Sequence, residues 1–477
     1  MFTPSKFGCG ALALGIALLG APATANAAEI DELMLSWPWA LPFVGLLLSI
    51  AVGPLWAPKL WHTHYGKITF MWSALTITPL AALHGIPIAL AALTHTILGE
   101  YVSFIVMLAT LYVVAGGILV TGSLRGTPLV NTAILAFGTA IASIVGTTGA
   151  AMILIRPLLR ANSVRLHDAH VVVFFIFLVA NIGGALSPLG NPPLFVGFLH
   201  GVGFFWAASH LWKETATTAV LVLAIFMAID IWLYRKDSRV AVVGEKPPNE
   251  PIRIRGLVNL LLIALIVGVS LLSALWRPGV AFDVYGTRLE LQDVIRDIAL
   301  VTIAVASLVL TAEEHRERNG FSWEPIWEVA KLFAGIFVCI IPVVAMLQAG
   351  RAGPFSWLLA LMNDEAGEPR NVAYFWFAGI LSAFLDNAPA YLVFFELAGG
   401  NAGRLMGELA PTLMAIAMGS VYMGALTYIG NAPNFMILAI ATERGVRMPS
   451  FFGYMIWSGA VLLPVFAVLT YVFVIAS

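Results

Sequence analysis

Residues 184–193 of this chain read GALSPLGNPP, and residues 424–433 read GALTYIGNAP. Each copy interrupts a long apolar run with glycine, asparagine and proline, which together prevent a helix from simply continuing. Further upstream, SIVGTTG at 143–149 matches SAFLDNA at 382–388. The chain therefore contains an internal duplication. Paired Gly/Pro-interrupted apolar segments in the two halves of a membrane protein point to the binding site of a secondary transporter.

The overall composition is that of a membrane protein. Hydrophobic residues make up 60% of the chain and charged residues only 11%, well outside the range of soluble domains. A formal net charge of -1 argues against a nucleic-acid-binding protein, which needs a basic face to hold phosphates. The two cysteines, Cys9 and Cys339, do not provide a disulfide framework. We therefore expect an all-α polytopic membrane protein.

The beginning of the chain has the features of a secretory signal peptide. Lys6 precedes an apolar stretch at 11–19, and small residues at 25–28 resemble a cleavage site. The alternative is a short first membrane span, but the apolar stretch is too short to cross a bilayer comfortably. We expect residues 1–28 to be a signal peptide and the multi-pass protein to lie in the cell inner membrane.

Apolar runs of spanning length divide the rest of the chain into two transmembrane repeat units, 29–235 and 256–477. A hydrophilic cytoplasmic linker at 236–255 joins the two units. Most Lys and Arg residues then fall in cytoplasmic loops, as the positive-inside rule requires. In this topology the two units are inverted repeats, and 85–98 is interpreted as an interfacial segment.

Two apolar segments, 129–160 and 371–397, carry polar residues in mid-run. Bare loop backbone in lipid leaves N–H and C=O groups unpaired, so such polar tips are tolerated only where they line a cavity enclosed by protein. Each repeat unit is therefore expected to contain a re-entrant helical hairpin and a broken transmembrane helix. We expect the first hairpin to open from the cytoplasm and the second from outside.

The hairpin tips and the broken helices are expected to meet near the bilayer midplane. Half-helices that end there present N–H groups with partial positive charge and unwound carbonyls with partial negative charge. A single Gly-Asn-Pro also occurs at plain helix kinks, but its duplication favours a binding site. The candidate substrate- or ion-binding residues are Thr147, Thr148, Ser187, Asn191, Asp386, Asn387, Thr427 and Asn431.

Asp386 is the sharpest difference between the two copies, because the alignment places Thr147 at the corresponding position. An ionisable group at membrane depth is expensive and indicates function. Asp386 and Asn387 are the candidate ligands of a Na+ ion, and Asp386 could instead carry a proton. The alternative role of Asp386 is a helix N-cap, three residues before Pro389. The two roles are compatible.

Other polar residues are not predicted to form a catalytic or cofactor site. The sequence contains no HExxH, no Walker loop and no GxSxG motif, so we expect neither an enzyme nor a cofactor. A membrane-embedded enzyme, such as a lipid transferase, would need its catalytic residues together at one interface. Four acidic residues at predicted ends of apolar runs are expected to be snorkelling or capping groups: Glu100, Asp168, Asp230 and Glu396.

The segment LSAFLDNAP at 381–389 resembles the second-hairpin motif of an ion-transporter superfamily. This superfamily includes NhaD-type sodium/proton antiporters, arsenite permeases and citrate or dicarboxylate transporters. SPLGNPP at 187–193 is similar to its broken-helix motif, whereas GTTG at 146–149 lacks the Asn or Asp often found in the first hairpin. The resemblance implies a scaffold domain, usually dimeric, and a mobile domain that carries the hairpins. We therefore expect a homodimer that works by alternating access.

Charge favours sodium (cation)/proton antiport over the other activities of this superfamily. Asp386 would repel a carboxylate unless it were protonated or bound to sodium. Na+ and H+ would then be the transported ions. The alternative is a cation-coupled citrate or dicarboxylate transporter, in which Thr147, Thr148 and Asn387 hold a small carboxylate while a cation neutralises Asp386.

Overall fold

The computed structural model describes residues 35–122, 124–237, 251 and 253–475. The expected signal peptide and most of the expected linker lie outside these ranges. The described residues are almost entirely helical, and seven of their helices are long and apolar enough to cross a membrane. The protein is therefore an all-α polytopic membrane protein, as predicted.

The described helices follow one another with few strands between them. In chain order they are α1 (Leu41–Trp56), α2 (Pro58–His84), α3 (Ile86–Thr94), α4 (Val102–Gly116), α5 (Pro128–Val145), α6 (Thr147–Ala161), α7 (Ala169–Leu178), α8 (Pro192–Leu199), α9 (Trp206–Asp237), α10 (Val258–Leu275), α11 (Leu291–Leu310), α12 (Glu313–Arg318), α13 (Glu324–Gln348), α14 (Ser356–Met362), α15 (Asn371–Leu385), α16 (Asn387–Leu397), α17 (Ala402–Met406), α18 (Ala410–Tyr422), α19 (Ala432–Glu443) and α20 (Phe451–Leu469). The strands form two short antiparallel pairs, β1 (Leu119–Thr121) with β2 (Arg253–Arg255) and β3 (Ala281–Val284) with β4 (Thr287–Glu290).

The segment at 85–98, interpreted as interfacial, is continuous with the helix that follows it, and its position relative to the membrane surface stays a prediction. Gly85 ends α2 with a φ of 95°, a conformation that residues with a side chain rarely adopt. Pro87 then lies in the first turn of α3, where its missing N–H removes no helical hydrogen bond. Helix α3, a π-helical turn at His95–Tyr101 and α4 follow without interruption, and together they form one apolar run at Ile86–Gly116.

Both predicted hairpins are present as pairs of helices broken at a single residue. Helices α5 and α6 meet at Gly146, and α15 and α16 meet at Asp386. The pairs extend over Pro128–Ala161 and Asn371–Leu397, close to the predicted limits. Their re-entrant course and their opposite orientations in the membrane stay predictions.

Both predicted broken helices are also present. Helix α7 is followed by irregular backbone and then by α8, and α18 is followed in the same way by α19. Asn191 and Asn431 occupy the N-cap positions of α8 and α19 with extended backbone, and each is followed by proline in the first helical turn. Proline starts a helix well but cannot continue one, which places both breaks where the sequence predicts them.

The hairpin of each unit packs against the broken helix of the other unit. Helix α16 of the second hairpin lies against α8, and α6 of the first hairpin lies against α19. The second hairpin also packs against its own unit through α15 and α18. Each tip is therefore positioned by both halves of the chain.

A buried ionic network holds the foot of the first hairpin. Asp230 on α9 is completely buried, and its carboxylate lies 2.5 Å from Arg165 Nη1 and 2.9 Å from His170 Nε2. Asn131 on α5 donates to Asp230 Oδ2 at 2.9 Å and to Asn162 Oδ1, just after α6, at 2.9 Å. The interpretation of Asp230 as a snorkelling or capping group was wrong, because its partners come from distant parts of the chain.

Removing this carboxylate should strongly destabilise the protein. Asp230→Ala leaves the Arg165 guanidinium buried without its closest anion, which typically costs about 3 to 5 kcal/mol. Thermal unfolding of the purified protein in detergent would measure the loss. The control is Glu408→Ala, which removes the exposed pair with Arg404 and should cost less than about 1 kcal/mol. Equal unfolding temperatures for the two variants would contradict the role of the network.

Candidate functional site

In each unit, a hydroxyl group at the equivalent position of the broken helix contacts the hairpin. Ser187 Oγ donates a hydrogen bond to the carbonyl of Ser143, and Thr427 Oγ1 donates to the carbonyl of Ala383. The same hydroxyls accept from the N–H groups of glycines in their own loops, at 3.2 Å from Gly190 and 3.1 Å from Gly430. Ser187 and Thr427 therefore satisfy backbone groups that the breaks expose.

These paired contacts correct the alignment of the two hairpins. Equivalent positions lie 240 residues apart, as Ser187 and Thr427 do. Asp386 therefore corresponds to Gly146, not to Thr147, and Thr147 corresponds to Asn387. The backbone agrees, since Gly146 has φ 79° and ψ 151° and Asp386 has φ 78° and ψ 145°.

The serines that suggested the other alignment make different contacts. Ser143 Oγ donates to the carbonyl of Gly183 at 2.6 Å, whereas Ser382 Oγ donates to the carbonyl of Ser420 at 2.6 Å. In the 240-residue register Gly183 would correspond to Met423. The two serines are therefore not structural equivalents, and their identity shifted the sequence alignment by one position.

Asp386 adopts a backbone conformation that is otherwise found almost only at glycine. Such a conformation costs of the order of 1 to 3 kcal/mol in a residue with a side chain and persists mainly at functional sites. Its Oδ1 accepts a hydrogen bond from the N–H of Asn387 at 2.7 Å. The capping role is therefore real. No ion pair among the described residues includes Asp386.

Asn387 and Asn191 join the two units directly. Asn387 Nδ2 donates to Asn191 Oδ1 at 2.7 Å, and both residues are buried. The other polar atom of each amide, Asn387 Oδ1 and Asn191 Nδ2, is buried without a hydrogen-bond partner among the described residues. A buried amide atom without a partner loses the hydrogen bonds that it would make with water. An acceptor and a donor are therefore available to a bound ion or molecule.

The first hairpin tip borders a small cavity of about 20 Å³, enough for one water molecule. Thr147, Thr148 and Asn191 line it together with apolar side chains of α4, such as Phe104 and Leu111. The N–H of Thr147 donates to the carbonyl of Gly190 at 2.9 Å. Gly146, at the N-cap of α6, has no side chain to cap the helix. The positive end of the α6 dipole therefore faces this cavity.

Asn431 belongs to a separate cluster with two residues that the sequence analysis missed. Asn431 Nδ2 donates to the carbonyl of Ala180 at 2.8 Å and to Asn181 Oδ1 at 3.1 Å. Asn181 Nδ2 donates to Asn434 Oδ1 at 2.8 Å, and Asn434 Nδ2 donates to the carbonyl of Thr427 at 2.9 Å. No hydrogen bond among the described residues joins Asn431 to Asn387 or Asn191. Asparagine inside a long apolar run was the signal that could have identified Asn181.

Glu396 and Glu100 belong to a third polar cluster, at the far end of α16. Glu396 is almost fully buried and accepts from Gln348 Nε2 at 3.0 Å. His200 Nε2 lies 4.0 Å from a carboxylate oxygen of Glu100 and 4.0 Å from one of Glu396. Glu396 is therefore a buried, hydrogen-bonded group and not a snorkelling one. Among the described residues, no group of three or more His, Cys, Asp or Glu is arranged to hold a metal ion.

A sequence model of the family described as "Putative citrate transport" matches residues 32–474. The chain belongs to this family. An uncharacterised transporter of Mycobacterium bovis is 24% identical over 329 residues, which are 67% of this chain and 71% of the relative. An uncharacterised transporter of Mycobacterium tuberculosis is 23% identical over 438 residues, 89% of this chain and 90% of the relative. The resemblance expected from the hairpin and broken-helix motifs is confirmed, and this member of the citrate transport family is a transporter.

The strain at Asp386 predicts an unusual stability effect in this family member. Asp386→Gly should unfold at the same temperature as the wild type or higher, because glycine relieves a strain of about 1 to 3 kcal/mol and costs only a few tenths of a kcal/mol as an N-cap. Thermal unfolding in detergent measures this. The matched variant is Gly146→Ala, whose Cβ would lie 3.2 Å from the Leu189 carbonyl and which should be destabilised. A clear loss of stability in Asp386→Gly would refute the strain.

Proposed function

We propose that the protein is a secondary active transporter that works by alternating access and exchanges Na+, or a similar cation, for H+. Asp386 is the group that binds either ion in turn. The protein acts as a homodimer in the cell inner membrane, as a transporter and not as an enzyme. Family membership supports transport, and the exchange itself rests on the surroundings of Asp386.

The observation that carries this proposal is the conformation of Asp386. The equivalent residue of the first unit is Gly146, which fits the same backbone without strain. An aspartate at that position costs stability, and a carboxylate at membrane depth costs more. Neither cost is offset by an ion pair among the described residues. A transported cation or proton would neutralise the carboxylate and offset the cost of its burial, and the backbone strain is then the cost of holding this carboxylate at the hairpin turn.

The atoms near Asp386 suit a hard cation as cargo. Such cations are bound by oxygen ligands, including carboxylates and the carbonyls of asparagine. Asn387 follows Asp386 directly, and its buried Oδ1 has no partner among the described residues. Asn387 also contacts Asn191 of the first unit. Occupation of Asp386 by Na+ or by H+ would therefore change the environment of a residue that joins the two units.

A second candidate, cation-coupled transport of citrate or a dicarboxylate, is favoured by a different observation. The α6 N-terminus is not capped by a side chain, and Thr148 in its first turn lines the cavity. The buried Asn191 Nδ2 has no partner among the described residues. These donors suit a carboxylate group. The family description points the same way. Against it, the cavity of about 20 Å³ admits no tricarboxylate in this conformation.

Replacement of Asp386 by asparagine should abolish coupled exchange while the protein still folds. Asparagine has the size of aspartate and can still cap α16, so the backbone strain is unchanged and folding is retained, but it cannot titrate. Proteoliposomes with an internal pH dye, given Na+, Li+ or K+ in turn, would measure exchange. Asp386→Glu should keep part of the activity with altered ion affinity. The control Glu313→Gln changes an exposed carboxylate on α12 and should leave exchange intact.

The outcome of that assay separates the candidates. Wild-type rates in Asp386→Asn would reduce Asp386 to a helix cap. Uptake of labelled citrate by the wild type, without any Na+/H+ exchange, would establish the second candidate instead. In that case Asn191→Ala should weaken citrate uptake about tenfold or more, because it removes a hydrogen bond to a charged group.

A further inference from the structure

Arg156 is a buried cation without an ion-pair partner among the described residues. It lies on α6, and only 7% of its surface is exposed. No hydrogen bond or ion pair among the described residues includes its guanidinium, and Nη1 is fully buried without a partner. Burial of an uncompensated charge is strongly unfavourable. Buried arginines are therefore normally paired, and the described part of the chain supplies no partner here.

The charged side chains around Arg156 add to the net positive charge of this region. Arg444 and Arg160 repel the Arg156 guanidinium electrostatically, and Glu443 provides the opposing attraction. Arg160 donates to the carbonyl of Val120 at 2.6 Å, and Arg444 is exposed at the end of α19. The local balance of these side chains is therefore positive.

The loop between α12 and α13 is shaped to approach this guanidinium. A Cβ added at Gly320 would lie 2.2 Å from Arg156 Nη2. Only a residue without a side chain lets the loop come so close. The hydroxyl of Tyr112 is also near, but it donates to the carbonyl of Ser322 at 2.8 Å. The surroundings of Arg156 thus come from α6, α19 and this loop.

We propose that Arg156 is the centre of an oxyanion-binding site, with Arg160 and Arg444 at its edge. Its ligand is a phosphate or carboxylate group. The planar fork of an arginine matches the oxygens of such groups in a paired hydrogen-bond geometry, and the binding is strengthened by charge. The group would come from the headgroup of an anionic lipid or from a free anion. Since α6 and α19 belong to different units, the bound group would join the two units.

This site is separate from the tip of the first hairpin. Arg156 follows Thr147 by nine residues along α6, which is about 14 Å at the rise of an α-helix. Arg156 does not line the cavity at the tip. The proposal therefore does not depend on which ion or carboxylate the transporter carries.

The test uses the full-length protein in two settings. In detergent, inorganic phosphate and citrate are added separately, and the unfolding temperature is followed against anion concentration. In nanodiscs, the same temperature is compared between phosphatidylcholine alone and a mixture with phosphatidylglycerol. Stabilisation by a free anion identifies a soluble ligand. Stabilisation by phosphatidylglycerol alone identifies a lipid headgroup.

Variants then locate the effect. Arg156→Gln should need about tenfold more anion, or more, for the same shift, since one charged hydrogen-bonding partner is lost. Arg444 is exposed, so Arg444→Gln should fold in any case, and the stabilisation of this variant by the anion should weaken less than that of Arg156→Gln. Arg404→Gln, an exposed arginine on α17, should respond like the wild type. The proposal fails if no probe stabilises the wild type, or if Arg156→Gln and Arg444→Gln both respond as the wild type does.

Discussion

Backbone N–H and C=O groups at membrane depth have no water to bond to, so a helix can break there only where the protein itself satisfies the exposed groups. In the described part of the chain, two hairpin tips and two broken helices interrupt helical runs in this way. Backbone groups exposed at each of these breaks bond to residues at another break. Ser187 and Thr427 fasten the broken helices to the hairpins. The Thr147 N–H, at the first hairpin tip, bonds to the carbonyl of Gly190. Each tip and the loop of the broken helix in its own unit therefore satisfy one another's backbone groups.

Within this shared framework, the residue that forms the hairpin turn differs between the two units. Gly146 makes the turn without strain and leaves the end of α6 open to a small cavity. Asp386 makes the same turn with strain and fills the equivalent end of α16 with its carboxylate. The framework is duplicated, but the chemistry of the two tips differs. The uncapped positive end of α6 faces the cavity at one tip, and an ionisable carboxylate occupies the helix end at the other.

The sequence was sufficient for features that depend on local residues. Hairpin limits and helix breaks followed from Gly, Asn and Pro, because these residues act on their own stretch of backbone. It was insufficient where a residue's environment comes from far along the chain. Asp230 meets Arg165 and Asn131 only in the folded protein. The predicted alignment of the two hairpins was wrong by one position for a related reason, since Ser143 and Ser382 are both serine but have unrelated partners.

The contacts between units constrain any motion that alternating access would require. The foot of the first hairpin is tied by the Asp230 network to α7 and α9. Movement of α5 away from these helices would break the hydrogen bond of Asn131 with Asp230, and movement of the loop after α6 would break the buried ion pair of Arg165 with Asp230. The second hairpin meets α18 through neutral hydrogen bonds, such as Ser382 Oγ to the Ser420 carbonyl. Between the units, the hydrogen bond of Asn387 with Asn191 lies directly after the residue that is proposed to change charge. Only one peptide bond and one side-chain contact therefore separate Asp386 from the first unit, the shortest route by which a change of charge there would act on that unit.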